Sequence, residues 1–275
     1  MTPMSGEQSE SPPEATPTPA KLELDNISKR FGDVQAIKGM TFSVNENEFV
    51  SLIGPSGCGK TTTLRIIDGV QPPDEGEIRI GGNPVTGSGQ DRGFVFQEFR
   101  LFPWRTVMEN VTFGMEIADV PKEERRQRAE KYIKMVGLAE FDDHYPHELS
   151  GGMKQRVGIA RALSIEPEIL LMDEPFGALD AMTRETMQKE VLQIWQQERR
   201  TVVFVTHDID EAVFLSDRVH VLQPRPGRLY KTIEIGLPRP REPRLKQTDE
   251  FVEYRRETWN TLEEITEAST RETSE

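Results

Sequence analysis

The sequence predicts an α/β fold in which a largely parallel sheet is covered by helices. Three short apolar runs have the length of buried strands: Phe49–Ile53, residues 168–172 and Thr201–Val205. A helical pattern follows the first run at 61–68 and is ended by Gly69. Strands that alternate with helical segments in this way are typical of a parallel sheet, because parallel neighbours need a crossover connection.

The loop between the first strand and its helix reads GPSGCGKT at 54–61 and matches the phosphate-binding motif G-x-x-x-x-G-K-[ST]. Its backbone N–H groups and the helix N-terminus attract phosphate, Lys60 is expected to reach the β/γ oxygens, and Thr61 to ligate Mg²⁺. Glycine-rich turns without a ligand also exist, but strand, loop, Lys, Thr and helix in this order favour a nucleoside triphosphate. The predicted nucleotide-binding residues here are Gly54, Pro55, Ser56, Gly57, Cys58, Gly59, Lys60, Thr61 and Thr62.

Three further motifs follow along the chain. The segment 149–156 reads LSGGMKQR, in which Ser150 is a helix N-cap followed by two glycines that allow an anion to approach. The apolar strand at 168–172 ends in Asp173 and Glu174, with Asp180 shortly after, and His207 follows the strand Thr201–Val205. Taken singly, these features have ordinary interpretations: a capped helix, two solvated acids and a structural histidine.

Together, the four motifs closely resemble the ATP-binding-cassette (ABC) ATPase family over about 22–223. The resemblance implies a P-loop NTPase core with an inserted helical subdomain and an antiparallel β portion. It also implies ATP and Mg²⁺ as ligands, and a homodimer in which Ser150, Gly151 and Gly152 contact the ATP held by the opposite cassette.

The resemblance assigns further roles to single residues. Asp173 would hold Mg²⁺, Glu174 would act on the attacking water as base or as positioning group, and His207 would contact the γ-phosphate. Gln97 resembles the glutamine that reaches Mg²⁺ and water, and Asp180 belongs to the nucleotide-binding set. Phe31 lies where the family stacks an aromatic ring on adenine, although a core or turn phenylalanine is the alternative.

Residues 1–20 are rich in Pro, Ser, Thr and Glu and predict a disordered tail. The ABC ATPase domain is assigned to 21–245, with its helical subdomain at about 99–165. A C-terminal helical extension is assigned to 246–275, with a helix around 250–268. The single cysteine, Cys58, excludes an internal disulfide and fits a reducing cytoplasm. Its thiol is expected to lie in the phosphate cradle and to be covered by bound nucleotide.

Composition bounds the partners. The net charge of -13 argues against a nucleic-acid-binding face, which needs clustered Lys and Arg. No apolar run approaches the roughly 18–20 residues of a membrane span. Only one phosphate loop and one LSGG are present, so a second cassette must come from another chain.

Finer resemblances favour the nitrate, sulfonate and taurine importers. The segments LFPWRTV at 101–107 and EPFGALD at 174–180 resemble those of bacterial importers. The proline-arginine turn at 224–228, which leads to LPRP at 237–240, resembles the nitrate, sulfonate and taurine group. The resemblance implies a membrane permease as partner, an extracytoplasmic solute-binding protein indirectly, and a position at the cytoplasmic face of the membrane. Phe102 and Trp104 are expected to help receive the permease, unless they belong to a packed core loop. The alternatives are a soluble ABC ATPase in nucleic-acid repair or translation, and a nucleotide binder without hydrolysis.

Overall fold

The computed structural model describes residues 20–273. All but the last residue of the predicted tail at 1–20 lies outside these residues. Within the described range, the elements follow in this order: β1 (Ala20–Phe31), β2 (Val34–Asn45), β3 (Phe49–Ile53), α1 (Lys60–Ile67), β4 (Glu75–Ile80), β5 (Asn83–Pro84), β6 (Arg92–Val95), α2 (Val107–Ile117), α3 (Lys122–Met135), α4 (Gly151–Ser164), β7 (Ile169–Asp173), α5 (Ala181–Glu198), β8 (Thr201–Val205), α6 (Ile209–Leu215), β9 (Arg218–Gln223), β10 (Arg228–Glu234) and α7 (Asp249–Thr273). Single 3₁₀ turns lie at Pro146–Glu148 and Pro243–Gln247.

The central sheet has six strands in the order β10-β9-β3-β8-β7-β6. The five strands from β9 to β6 pair in parallel, and β10 joins β9 in antiparallel fashion. Every residue of β3 and β8 is buried, which their near-continuous apolar sequences predict for strands covered on both faces. Because β3, β7 and β8 run in parallel, their carboxyl ends meet at one edge of the sheet, and the predicted parallel core is confirmed.

A second sheet of four antiparallel strands, in the order β2-β1-β4-β5, supplies the antiparallel portion that the resemblance implies. In β1, Leu22 and Leu24 are buried while Glu23 and Asp25 are exposed. This period of two is typical of a strand with one face on the core. The buried face joins a hydrophobic cluster with Val50, Leu52 and other residues of the central sheet.

Helices α2, α3 and α4 form the helical part of the chain between β6 and β7, and they pack on one another. Thr106 begins α2 with a reciprocal capping box to Glu109. Within the range expected for the helical subdomain, 99–106 and 136–150 contain no α-helix. Gly137 follows the C-cap of α3 with φ +70°, the left-handed conformation that commonly ends a helix. The proposed subdomain bounds, 99–165, stay a prediction.

A buried arginine holds the C-terminal segment, which we define as residues 235–273, against the rest of the domain. Arg241 is 3% exposed and lies in the proline-basic stretch between β10 and the last helix. Its guanidinium donates to the carbonyl oxygens of Val213, Phe214, Ser216, Ile235 and Leu237. Burial lowers the pKa of Arg241 to about 10, so it stays charged at neutral pH.

The final helix is longer than predicted. It runs over Asp249–Thr273 instead of about 250–268. No Gly or Pro interrupts this stretch, so nothing in its local sequence ends the helix earlier.

Candidate nucleotide site

The loop between β3 and α1 has a backbone that requires glycine at three places. Gly57 and Gly59 have φ values of +80° and +91°, in the left-handed region that L side chains rarely adopt. A Cβ atom on Gly54 would lie 2.5 Å from the carbonyl oxygen of Leu222. The loop therefore packs closely on β9 and turns directly into the first residue of α1.

Lys60 lies against this loop. Its ammonium donates to the carbonyl oxygens of Gly54 at 2.7 Å and Pro55 at 3.2 Å, and the residue is 9% exposed. These contacts keep a positive charge beside the loop backbone and the start of α1. Such a concentration of positive potential suits a polyphosphate.

Cys58 corrects one expectation. Its side chain is 0% exposed and belongs to the hydrophobic cluster with Leu222 and Leu64. A Cβ atom on Gly54 would lie 2.7 Å from its sulfur, which shows how tightly the loop closes over the thiol. The prediction that the thiol lies in the phosphate cradle is therefore wrong, because apolar packing takes the side chain inward. Only the backbone of Cys58 remains available to a phosphate, and burial raises the pKa of the thiol.

The pair Thr61 and Asp173 forms the candidate Mg²⁺ site. Thr61 lies in the first turn of α1, and its hydroxyl donates to Oδ1 of Asp173, at the end of β7, over 3.2 Å. Burial raises the pKa of Asp173, the Thr61 hydrogen bond lowers it, and the neighbouring Glu174 raises it. Among residues 20–273, no group of three or more His, Cys, Asp or Glu could hold a metal by itself. A hydroxyl and a carboxylate fit Mg²⁺, which takes hard oxygen ligands and shares them with substrate phosphates.

Three predicted catalytic side chains meet beside this pair. Oε2 of Glu174 lies 3.0 Å from Nδ1 of His207 and 3.4 Å from Nε2 of Gln97. Glu174 has φ +43°, a backbone conformation that costs a non-glycine residue about 1–3 kcal/mol. Its N–H donates to the carbonyl of Val205 at 2.9 Å, which ties the end of β7 to the end of β8.

The signature residues lie at the start of α4. The hydroxyl of Ser150 accepts from the N–H of Met153 at 3.3 Å, as expected for an N-cap. Cβ atoms on Gly151 and Gly152 would meet Leu179, Phe99 and Thr183. In the described part of the chain, no hydrogen bond or ion pair joins Ser150, Gly151 or Gly152 to the phosphate loop of the same chain.

Asp180 has a structural role of its own. Its carboxylate caps α5 by accepting from the N–H groups of Met182 and Thr183, and from the Thr183 hydroxyl at 2.6 Å. The hydrogen bonds from Thr183 lower the pKa of Asp180. A direct contact of Asp180 with nucleotide stays a prediction.

Phe31 lies at the end of β1 and is 48% exposed. The ammonium of Lys29 lies 5.9 Å from the centre of its ring. A core position for Phe31 is therefore wrong, and an exposed aromatic face near the turn suits the predicted stacking on adenine.

The comparisons with known proteins agree with this geometry. The model of the ABC transporter family matches residues 37–177, just over half of the chain. The chain belongs to this family. It is an ABC ATP-binding subunit and an ATPase, as the motifs predict.

The ABC subunit is similar to several ATP-binding proteins over most of its length. It is 54% identical over 248 residues to an uncharacterized ABC transporter ATP-binding protein of Methanocaldococcus jannaschii, covering 89% of this chain and 92% of that one. It is 45% identical over 243 residues to the nitrate import ATP-binding protein of Synechocystis, with coverages of 85% and 91%. The aliphatic sulfonates import ATP-binding protein of Bacillus cereus is 46% identical over 230 residues, with coverages of 84% and 89%.

A solved structure matches the ABC subunit's fold. It is the dimer of an ATP-binding cassette in a post-hydrolysis state with ADP and Pi. The TM-score is 0.67 at 36% identity, covering 78% of this chain and 98% of that one. Among the described residues of the ABC subunit, no helix combines the length and apolar character needed to cross a bilayer.

Sequence reasoning missed a set of buried polar residues behind His207. Glu211, Gln188 and Thr206 are each at most 5% exposed and are joined by hydrogen bonds. Glutamate and glutamine in helices are typical of solvated surface positions, so the sequence gives no signal that Glu211 and Gln188 are buried. Only the tertiary structure shows it.

Proposed function

We propose that this chain is the ATP-hydrolysing subunit of an importer for a small anion or organic anion such as nitrate, a sulfonate or taurine. The observation that carries the catalytic part is the meeting of Glu174, His207 and Gln97 beside the Thr61–Asp173 pair. The names of the nitrate and sulfonate relatives support the anionic cargo.

The side chains around Glu174 divide the work of hydrolysis. Its carboxylate would accept a hydrogen bond from the attacking water, whether it takes the proton or holds the water in line. His207 and Gln97 fix the orientation of this carboxylate through the contacts at 3.0 and 3.4 Å. Lys60 stabilises the negative charge of the phosphates. Thr61 and Asp173, with Gln97 as the predicted third group, would hold Mg²⁺, which supplies charge neutralisation to the phosphoryl group.

A homodimer of cassettes follows from the position of the signature. Ser150 and the two glycines after it present the start of a 14-residue helix, yet they make no polar contact with the phosphate loop of their own chain among residues 20–273. We infer that they serve the nucleotide of a second copy. The dimeric state of the matched cassette with ADP and Pi supports this arrangement.

A permease would dock on an aromatic patch that we define as Phe102, Trp104, Arg105 and Phe113. Trp104 is 71% exposed, and its ring lies 5.7 Å from that of Phe102. Phe102 packs on Phe113 at 4.4 Å, and the Arg105 guanidinium lies 4.8 Å from the Phe113 ring. Exposed aromatic and arginine side chains are the groups that most often anchor interfaces. The solute-binding protein and the cytoplasmic face of the membrane belong to the same proposal.

The test is uptake of labelled nitrate, taurine and an alkanesulfonate by cells that lack the chain and are complemented with it. The wild-type chain should restore uptake of at least one of these anions, and Glu174→Gln should restore none. Normal uptake of all three anions without the chain would contradict the proposed cargo. It would not bear on the ATPase activity, which is measured separately on the purified protein.

A further inference from the structure

A buried chain of hydrogen bonds runs behind the catalytic histidine. Oε2 of Glu211, in α6, accepts from the Thr206 hydroxyl at 2.6 Å, and Oε1 accepts from Nε2 of Gln188, in α5, at 3.2 Å. These three residues are 5%, 1% and 3% exposed. A buried carboxylate needs such donors, since water cannot supply them.

These hydrogen bonds hold both sequence neighbours of His207 in place. The Thr206 hydroxyl also accepts from the N–H of Asp208 at 3.0 Å, and Oδ1 of Asp208 accepts from the N–H of Glu211 at 3.1 Å. The backbone on each side of His207 is thereby tied to Glu211. The His207 ring itself is exposed and makes its hydrogen-bond contact with Glu174, so its aim depends on this backbone.

Helix α5 connects the same carboxylate to the loop that ends at Asp180. Arg184 lies one turn before Gln188, and its Nε is 3.9 Å from Oε1 of Glu211. The other end of its guanidinium donates to the carbonyl of Leu179 at 3.2 Å. Burial raises the pKa of Glu211, Asp208 raises it further, and Arg184 and the hydrogen bonds oppose this shift.

The hydrogen-bond network continues into the C-terminal segment. The ammonium of Lys246, in the 3₁₀ turn Pro243–Gln247, donates to Oε1 of Gln188 at 2.7 Å and lies 4.8 Å from the ring centre of Phe214. A primary amide has one acceptor end and one donor end. Because Lys246 occupies the oxygen of Gln188, the NH₂ group is turned toward Glu211. The Glu211 carboxylate only accepts hydrogen bonds and so favours the same orientation of the amide, which Lys246 reinforces from the other end.

We propose that Glu211 is a positioning residue for His207, and that Lys246 controls it through Gln188, so that the C-terminal segment regulates ATP hydrolysis without touching ATP. This inference rests on the chain's ATPase activity and is independent of which anion is transported. It adds a regulatory contact outside 37–177, the part that the family model matches.

The first experiment compares Lys246→Met with Lys246→Arg in the full chain. Methionine keeps the apolar stem over Phe214 but cannot donate to Gln188. We expect kcat for ATP to fall about five-fold, equivalent to about 1 kcal/mol, with KM within two-fold and an unchanged melting temperature. Arginine restores a donor and should recover most of kcat. Lys189→Met is the matched control, because the Lys189 ammonium pairs with Glu242 of the same segment at 3.0 Å and not with the Gln188 side chain.

The second experiment is a double-mutant cycle with Gln188→Leu. If Lys246 acts through Gln188, Lys246→Met should lower kcat no further in the Gln188→Leu background. Additive losses would overturn the relay, as would an unchanged kcat in Lys246→Met or an equal loss in Lys189→Met. Should Gln188→Leu lose its fold, the comparison of Lys246→Met with Lys246→Arg still shows whether kcat depends on a hydrogen-bond donor at position 246. A wild-type chain without ATPase activity would instead count against the enzymatic role.

Discussion

Cys58 shows at the residue scale that a motif position and a side-chain position are different things. Its backbone belongs to the phosphate loop, but its thiol is fully buried and its pKa is raised by burial. Thiolate is the form that reacts with alkylating agents, so the raised pKa lowers the reactive fraction and burial keeps the reagent away from the sulfur. Loss of activity on alkylation is therefore not a suitable test of this loop.

We predict that native protein reacts slowly with a maleimide, at the same rate with and without MgATP, and reacts fully in denaturant. The control is Ser56→Cys combined with Cys58→Ala, because Ser56 is exposed on the same loop. That variant should label rapidly and be protected by MgATP. Mass spectrometry over time measures both rates. Rapid labelling of native Cys58 that MgATP slows would contradict the buried side chain.

At the scale of elements, Arg241 joins the C-terminal segment to the end of α6. One guanidinium occupies five carbonyl oxygens, as described above, in a site from which water is excluded. Arg241→Leu would leave these oxygens without donors, and we expect a loss of about 3 kcal/mol in the free energy of unfolding. Urea denaturation measures this loss. Arg244→Leu, at an exposed position three residues later, should change stability by less than about 0.5 kcal/mol.

The aromatic patch gives a second prediction at this scale. Trp104 is 71% exposed, so Trp104→Glu should leave the melting temperature and the basal ATPase rate close to wild type. A charge on the proposed docking surface should abolish anion uptake and co-purification with the permease. Val70→Glu, which changes another exposed apolar residue, at 64% exposure, should not affect either. If Trp104→Glu loses fold and basal activity together, the segment is a packed core loop.

The elements also show which parts of the site a sequence can predict. Strand β3, its loop and α1 are contiguous, so the local pattern predicts Lys60 and Thr61, and parallel strand ends explain why Asp173 and His207 lie nearby. Cys58 could not be placed in this way, because its burial depends on β9, more than 150 residues later in the chain. The contact of Lys246 with Gln188 spans 58 residues and leaves no periodic signal.

At the scale of the whole molecule, one chain holds the two halves of the proposed nucleotide site, and no polar contact among residues 20–273 joins them. The phosphate loop, Asp173, Glu174 and His207 share the edge of the central sheet. Ser150 and its glycines begin α4, in the helical part of the chain. Two copies arranged head to tail would complete two sites, and ATP would then be the link that holds them together.

This arrangement predicts a dimer whose stability depends on charge at Ser150. Glu174→Gln should slow hydrolysis about 100-fold or more while ATP still binds, which traps the ATP-bound dimer. In that background, Ser150→Asn and Ser150→Asp both retain a good N-cap for α4, since asparagine and aspartate cap as well as serine. They differ by one negative charge beside the predicted γ-phosphate. Light scattering with saturating MgATP should therefore find a dimer for Ser150→Asn and a monomer for Ser150→Asp. Equal masses for the two variants would mean that Ser150 does not face a phosphate of the second copy.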